Sequence, residues 1–177
     1  MFVVACLGNP GKKYVKNRHN AGFILGEYLA REYSIPVSSS QFSSISGRGI
    51  MHNCEVFLIM PQSYMNKSGV SVRKALEFYK VSPDQLVVVH DDIEVPFGEF
   101  RKKFGGGHKG HNGIRSIMQE MGTGDFHRVR FGVGRPENPD MAVADYVLSN
   151  FREEELERIE ELLPAVTDTI LSIFDGV

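Results

Sequence analysis

The 177-residue chain has no tryptophan, only two cysteines and no apolar run long enough to cross a membrane. Cys6 and Cys54 lie far apart in the sequence and form no CxxC pair, so neither a disulfide framework nor a zinc ribbon is expected. Each sits in strand-like surroundings and reads as a reduced thiol, which points to a cytosol-like compartment. The N-terminus "MFVVACLGNPG" lacks a basic n-region and reads as a first strand, not a signal peptide. GxSxG does not occur, and there is no internal repeat or low-complexity segment. The usual serine and cysteine nucleophile arrangements are therefore missing.

An ordinary globular composition is present, with 42% hydrophobic and 24% charged residues. The net charge of −2 conceals a division. Residues 1–135 hold 18 Lys and Arg against 11 Asp and Glu, whereas residues 136–177 hold 2 against 11. A basic body suits a polyanionic partner such as nucleic acid, although surface charges often do no more than solvate a face.

Short apolar runs punctuated by turn residues alternate with helical patterns. "FVVACLG", "EVFLIM" and "QLVVVHDD" read as buried strands, and "GEFRKKF" and "HRVRFGVG" alternate as half-exposed ones. Helices are expected in "NAGFILGEYLAREY", from about Ser68 in "NKSGVSVRKALEFYKV", and in "NGIRSIMQEM". The serine-rich "SIPVSSSQFSSISGRG" reads as a loop with room for an edge strand. Residues 152–174 read as an acidic amphipathic helix kinked or split at Pro164. The pattern predicts one α/β domain over residues 1–177, with a mixed, largely parallel sheet.

Ligands in such sheets collect at the carboxyl ends of the strands. If the three buried strands are parallel neighbours, Asn9, His19, Asn66, His90 and Asp91 share one rim. Each has an ordinary reading as well. His19 could cap or pack on the following helix, and Asp91 could be a turn residue beside Asp92. Yet a histidine held by a carboxylate is the usual form of a general base, and with no nucleophile in view its client would be water. The asparagines Asn9, Asn20, Asn66 and Asn112 stand at element ends; an amide can grip a peptide backbone or an oxyanion, or simply make a turn. "RKKFGGGHKGHNGIR" holds five basic residues, five glycines and no acid. Its GxGxxG follows a charged strand, which argues against a dinucleotide fingerprint, and His111 replaces the lysine that a Walker loop requires. His108 and His111 lack a third metal ligand in the sequence. A basic loop leading into a helix N-terminus suits phosphate instead.

Five ordered motifs then carry a resemblance: "CLGNPGKKYVKNRHNAG", "MPQSYMNKSGVSV", "HDDIEVPFG", "GGGHKGHNG" and "FHRVRFGVGRP". Together they cover about residues 2–136, and the chain resembles the bacterial peptidyl-tRNA hydrolases. One departure is Asn17, where threonine is common. The resemblance implies a monomeric, single-domain α/β/α fold that hydrolyses the ester of peptidyl-tRNA without metal or cofactor. It implies His19 as the catalytic histidine and Asp91 as its carboxylate. It places Asn9, Asn66 and Asn112 in the active site, Tyr14 near the tRNA 3′ end and Met65 in the cleft wall. Lys103 and Arg130 fall on tRNA-binding positions, and charge alone adds Arg101, Lys102, Lys109 and Arg128. Two rival functions are a catalytically silent RNA-binding relative and a small-molecule esterase or amidase of similar fold.

Overall fold

The computed structural model describes residues 1–177. A seven-stranded sheet runs through it in the order β2-β3-β4-β1-β5-β7-β6. The strands are β1 (Phe2–Cys6), β2 (Ser38–Gln41), β3 (Ser44–Met51), β4 (Cys54–Pro61), β5 (Leu86–Asp92), β6 (Phe100–Phe104) and β7 (His127–Gly132). The four central strands β4, β1, β5 and β7 are mutually parallel. Antiparallel β3 and β2 extend one edge, and antiparallel β6 closes the other. The sheet is thus mixed with a parallel centre, as expected.

Helices cover both faces, which is why the central strands are apolar on both sides. Alternate residues such as Val4, Cys6, Leu58, Val87, Val89 and Val129 face α1 (Ala21–Glu32) and α5 (Glu153–Phe174). Their neighbours Val3, Ala5, Leu7, Phe57, Leu86 and Val88 face α2 (Ser68–Tyr79) and α3 (Asn112–Met121). Each fully buried Leu or Phe contributes roughly 1.5–3 kcal/mol, so two such cores hold the layers together without a disulfide. No helix is long and apolar enough to cross a membrane.

Three features differ from the sequence expectation. The serine-rich segment is a β-hairpin, with β3 paired to β4 over eight residues. Its glycines have a packing reason: a Cβ on Gly47 would lie 2.1 Å from the carbonyl oxygen of Pro36, where the chain crosses the strand. α5 runs unbroken through Pro164 over 22 residues. Pro164 is on an exposed turn, so the carbonyl it leaves unpaired faces water. A short α4 (Val143–Val147) follows β7 and was not legible in the sequence pattern.

The site depends on how α1 enters. Gly22 lies against the carboxyl ends of β1 and β5; a Cβ there would come within 2.5 Å of the Leu7 carbonyl and 2.6 Å of the Val89 carbonyl. Only glycine lets the helix start this close to the rim.

Candidate active site

His19 lies in the one-turn helix Arg18–Asn20 that feeds α1, and is only 9% exposed. Asp91 ends the apolar run of β5 and is 2% exposed. Their separation of 72 residues closes to contacts of 2.8 and 2.9 Å between His19 Nδ1 and the two carboxylate oxygens. Nδ1–H donates to Asp91, which leaves the Nε2 lone pair available as a base. Burial by itself would lower the His19 pKa, but the charge of Asp91 and its hydrogen bond outweigh burial and raise it. The same pairing, reinforced by His111, holds the Asp91 carboxyl below the ordinary range despite complete burial.

His111 is the partner that sequence reasoning set aside as half of a weak metal pair. It is the N-cap of α3: its Nδ1 accepts from the amides of Gly113 at 3.1 Å and Ile114 at 3.3 Å. Its proton therefore sits on Nε2, which donates to Asp91 Oδ1 at 2.9 Å. His108 turns elsewhere and accepts from the Gly110 amide at 2.9 Å. His19, Asp91 and His111 do bring ligand atoms within 4.8 Å of one another. Their hydrogen-bond roles disfavour a metal, since both ring nitrogens of His111 are already engaged, one as acceptor and one as donor. The signal in the sequence was a histidine directly before a helix that starts "NGI".

His90 points away from this pair. Its Nδ1 contacts the Asp91 carbonyl at 2.8 Å, and its Nε2 is buried without a partner. Burial, aided by the nearby His111, lowers its pKa to about 3. The expected rim is therefore real, but His90 shares it as a buried neighbour of the pair.

Asn9 is held by a reciprocal clasp. Its amide donates to Asn20 Oδ1, and Asn20 Nδ2 donates back to its carbonyl, both at 2.9 Å. Asn9 Oδ1 accepts from the Met65 amide at 2.8 Å. That leaves Asn9 Nδ2 without a partner in the protein, a donor with capacity for an acceptor oxygen. Tyr64, just before Met65, has φ 63° and ψ 156°, a region that side chains other than glycine rarely occupy. Tyr64 is 56% exposed.

Two adjoining hollows meet at His19. One, of about 420 Å³, is lined by Asp91, Lys109, His111 and Asn112 among others. The other, of about 240 Å³, is lined by Asn9, Tyr64, Met65 and Asn66. Both share His19, Asn112 and the α4 residues Ala144 and Val147 as a wall. Asn66 and Asn112 are exposed there, while Tyr14 is not among the lining residues and carries Lys13 Nζ 4.9 Å from its ring centroid.

The basic residues separate into groups. The β6–β7 register places Arg101 opposite Arg130 and Lys103 opposite Arg128, so these four share the face that carries α3. Arg101 is exposed beside Glu99 at 2.9 Å, and Arg130 Nε donates to Asp92 at 2.8 Å. Lys102 alternates to the opposite face and donates to Ser172 of α5 at 3.0 Å. Arg128 corrects the charge-based expectation: it is 4% exposed, and its guanidinium donates to the carbonyls of Gly106, Gly107 and Gly124. It holds the glycine loop from inside, because those carbonyls need a donor once the loop folds over β7.

Comparison with known proteins places the chain in a family. The peptidyl-tRNA hydrolase family matches residues 3–177. A peptidyl-tRNA hydrolase of Geobacter metallireducens is 48% identical over 164 residues, 93% of this chain and 84% of that protein. One from Pelobacter propionicus is 45% identical over 99% of this chain and 88% of its own length. The crystal structure of peptidyl-tRNA hydrolase from Acinetobacter baumannii superposes with a TM-score of 0.92 at 36% identity, covering 99% of this chain and 89% of that one. From the sequence match and the shared fold together, this chain belongs to the peptidyl-tRNA hydrolase family.

Proposed function

We infer that this protein hydrolyses the ester between a peptidyl group and the 3′ ribose of tRNA, releasing free tRNA and peptide. The observation that carries the reading, in a chain of this family, is the 2.8 Å contact of His19 Nδ1 with Asp91 on the floor of a polar cleft. Asp91 fixes the tautomer and offsets the charge that the ring acquires. His19 Nε2 takes a proton from water as the water oxygen bonds to the ester carbonyl carbon. Collapse of the tetrahedral intermediate breaks the bond to the ribose oxygen, and His19 returns the proton to that leaving oxygen.

The free Nδ2 of Asn9 suits the carbonyl oxygen as it becomes an oxyanion. Asn66 and Asn112, exposed on the same cleft, suit the peptide backbone or the attacking water, with Met65 as an apolar wall. Tyr14, off the cleft proper, fits a role at the tRNA 3′ end. Arg101, Lys103, Arg130 and Lys109 lie on the glycine-loop side and suit phosphates. The scheme draws on groups of a single chain and asks for no partner subunit, so we take the acting form to be a monomer. Lys102 and Arg128 have no part in phosphate binding in this scheme, given their positions.

The test offers an N-blocked aminoacyl-tRNA to wild-type protein and to His19→Ala, with free aminoacyl-tRNA as control. Release of tRNA from the blocked substrate by wild type alone is expected. Binding without cleavage by wild type would favour the silent RNA-binding reading, and salt-independent cleavage of small esters the esterase one.

A further inference from the structure

Arg18, immediately before the candidate base, carries its charge at 8% exposure. Its guanidinium donates to Glu155 Oε1 at 2.9 Å, to Ser149 Oγ at 3.3 Å and to the carbonyls of Ser149 and Asn150. The rings of Tyr146 and Phe151 lie 4.7 and 5.4 Å from its central carbon. The backbone repeats the connection. Arg18 N donates to the Ser149 carbonyl at 3.1 Å, and Phe151 N donates to the Lys16 carbonyl at 2.8 Å. Asn17 Nδ2 donates to Asn150 Oδ1 at 2.6 Å, so the residue that departs from the common threonine takes part too. A short antiparallel join therefore fastens the His19 turn to the segment just after α4. Residues Val143, Ala144, Val147 and Leu148 of and beside α4 are the wall that faces His19.

Buried ion pairs are weak sources of stability, because desolvation cancels much of the attraction. What a forked, planar donor supplies better than any other side chain is fixed geometry across several acceptors. We propose that Arg18 is a positioning residue for the hydrolysis, fixing the distance between the α4 wall and the His19 turn and so the width of the cleft over the base. The proposal rests on the hydrolase reading above. Arg18 lines neither of the two hollows at His19 and leaves the His19–Asp91 contact to itself.

Arg18→Lys tests it. Lysine keeps a positive charge near Glu155 but cannot also bridge Ser149 and Asn150. With N-blocked aminoacyl-tRNA, kcat/KM is expected to fall at least about tenfold, the scale of losses from small misplacements. The midpoint of the acid limb of the pH profile should stay in place, because Asp91 still holds His19. Amide exchange at Arg18 and Phe151 should accelerate. Leu163→Ala, a core truncation in α5 away from the cleft, is the control: it lowers Tm while kcat/KM of the folded protein holds. Arg18→Lys losing no more activity than Leu163→Ala would overturn the proposal. So would a shifted acid limb, which would make Arg18 act on the basicity of His19. Wild-type protein that cleaves nothing would instead overturn the hydrolase reading, and amide exchange would still test the join.

Discussion

In the proposed mechanism His19 is a general base and works only when deprotonated, so its raised pKa should place the acid limb of activity above the ordinary histidine value. Asp91→Asn removes the charge and the carboxylate hydrogen bond while burial remains. The acid limb should therefore move to lower pH, even as kcat/KM falls about 10²–10⁴-fold from loss of the fixed tautomer. A pH–rate profile on N-blocked aminoacyl-tRNA reads both effects; an acid limb that stays put would separate Asp91 from the base. His90 makes an opposite contribution to stability. Its folded pKa is depressed to about 3, so between that value and its unfolded pKa the unfolded chain binds the extra proton. Stability then falls with decreasing pH at up to about 1.4 kcal/mol per unit from this group. His90→Asn, which retains a donor for the Asp91 carbonyl, should flatten the slope of urea-unfolding stability between pH 4 and 6.

At the scale of elements, the start of α3 links capping to chemistry. His111 accepts two orphan amides of the helix and donates to Asp91 with its other nitrogen. His111→Ala should cost roughly 0.5–2 kcal/mol of stability, as loss of an N-cap does. His111→Asn should restore much of that stability but not the activity, since its short amide caps the helix without reaching the carboxylate. Urea unfolding and kcat/KM on the same preparations check this pair. The elements best read from the sequence are those with a clean period. β1 and the Leu86–Val89 run of β5 are apolar and buried on both faces, and α3 follows its i, i+3, i+4, i+7 stripe with Ile114 and Ile117 buried. The β2–β3 hairpin eluded the pattern because Gly47 and Gly49 answer to the segment crossing at Ile35 and Pro36, and its serines give no apolar alternation to read. Pro164 misled in the other direction, since a proline on a solvent-facing turn need not end a helix supported along its buried side.

Across the whole molecule, charge is sorted by face. Glu153, Glu154, Glu157, Glu160, Glu161 and Asp168 are exposed on α5, behind the sheet from Arg101, Lys103 and Arg130. A polyanion is thus drawn to one face and repelled by the other. Lys103→Ala should weaken tRNA binding and reduce the slope of log affinity against log salt by about one. Lys102→Ala, one residue away but on the α5 side, should leave that slope nearly unchanged. Salt titrations of tRNA binding distinguish the two; equal effects would mean that tRNA does not follow this face.

The sequence by itself determined the chemistry on offer: apolar strands with polar tips, a basic glycine loop, and the motifs that carry His19 and Asp91. Those features are local, because burial and turn preference act residue by residue, and so they can be read along the chain. Only the tertiary structure decided which groups meet. It brought Asp91 between His19 and His111, turned Arg128 inward to three loop carbonyls, and fastened Arg18 to Ser149 and Asn150. The physical reason is that these contacts join distant segments. Their partners are set by how close glycine lets α1 approach the strand ends and by which carbonyls are left needing a donor once the layers pack.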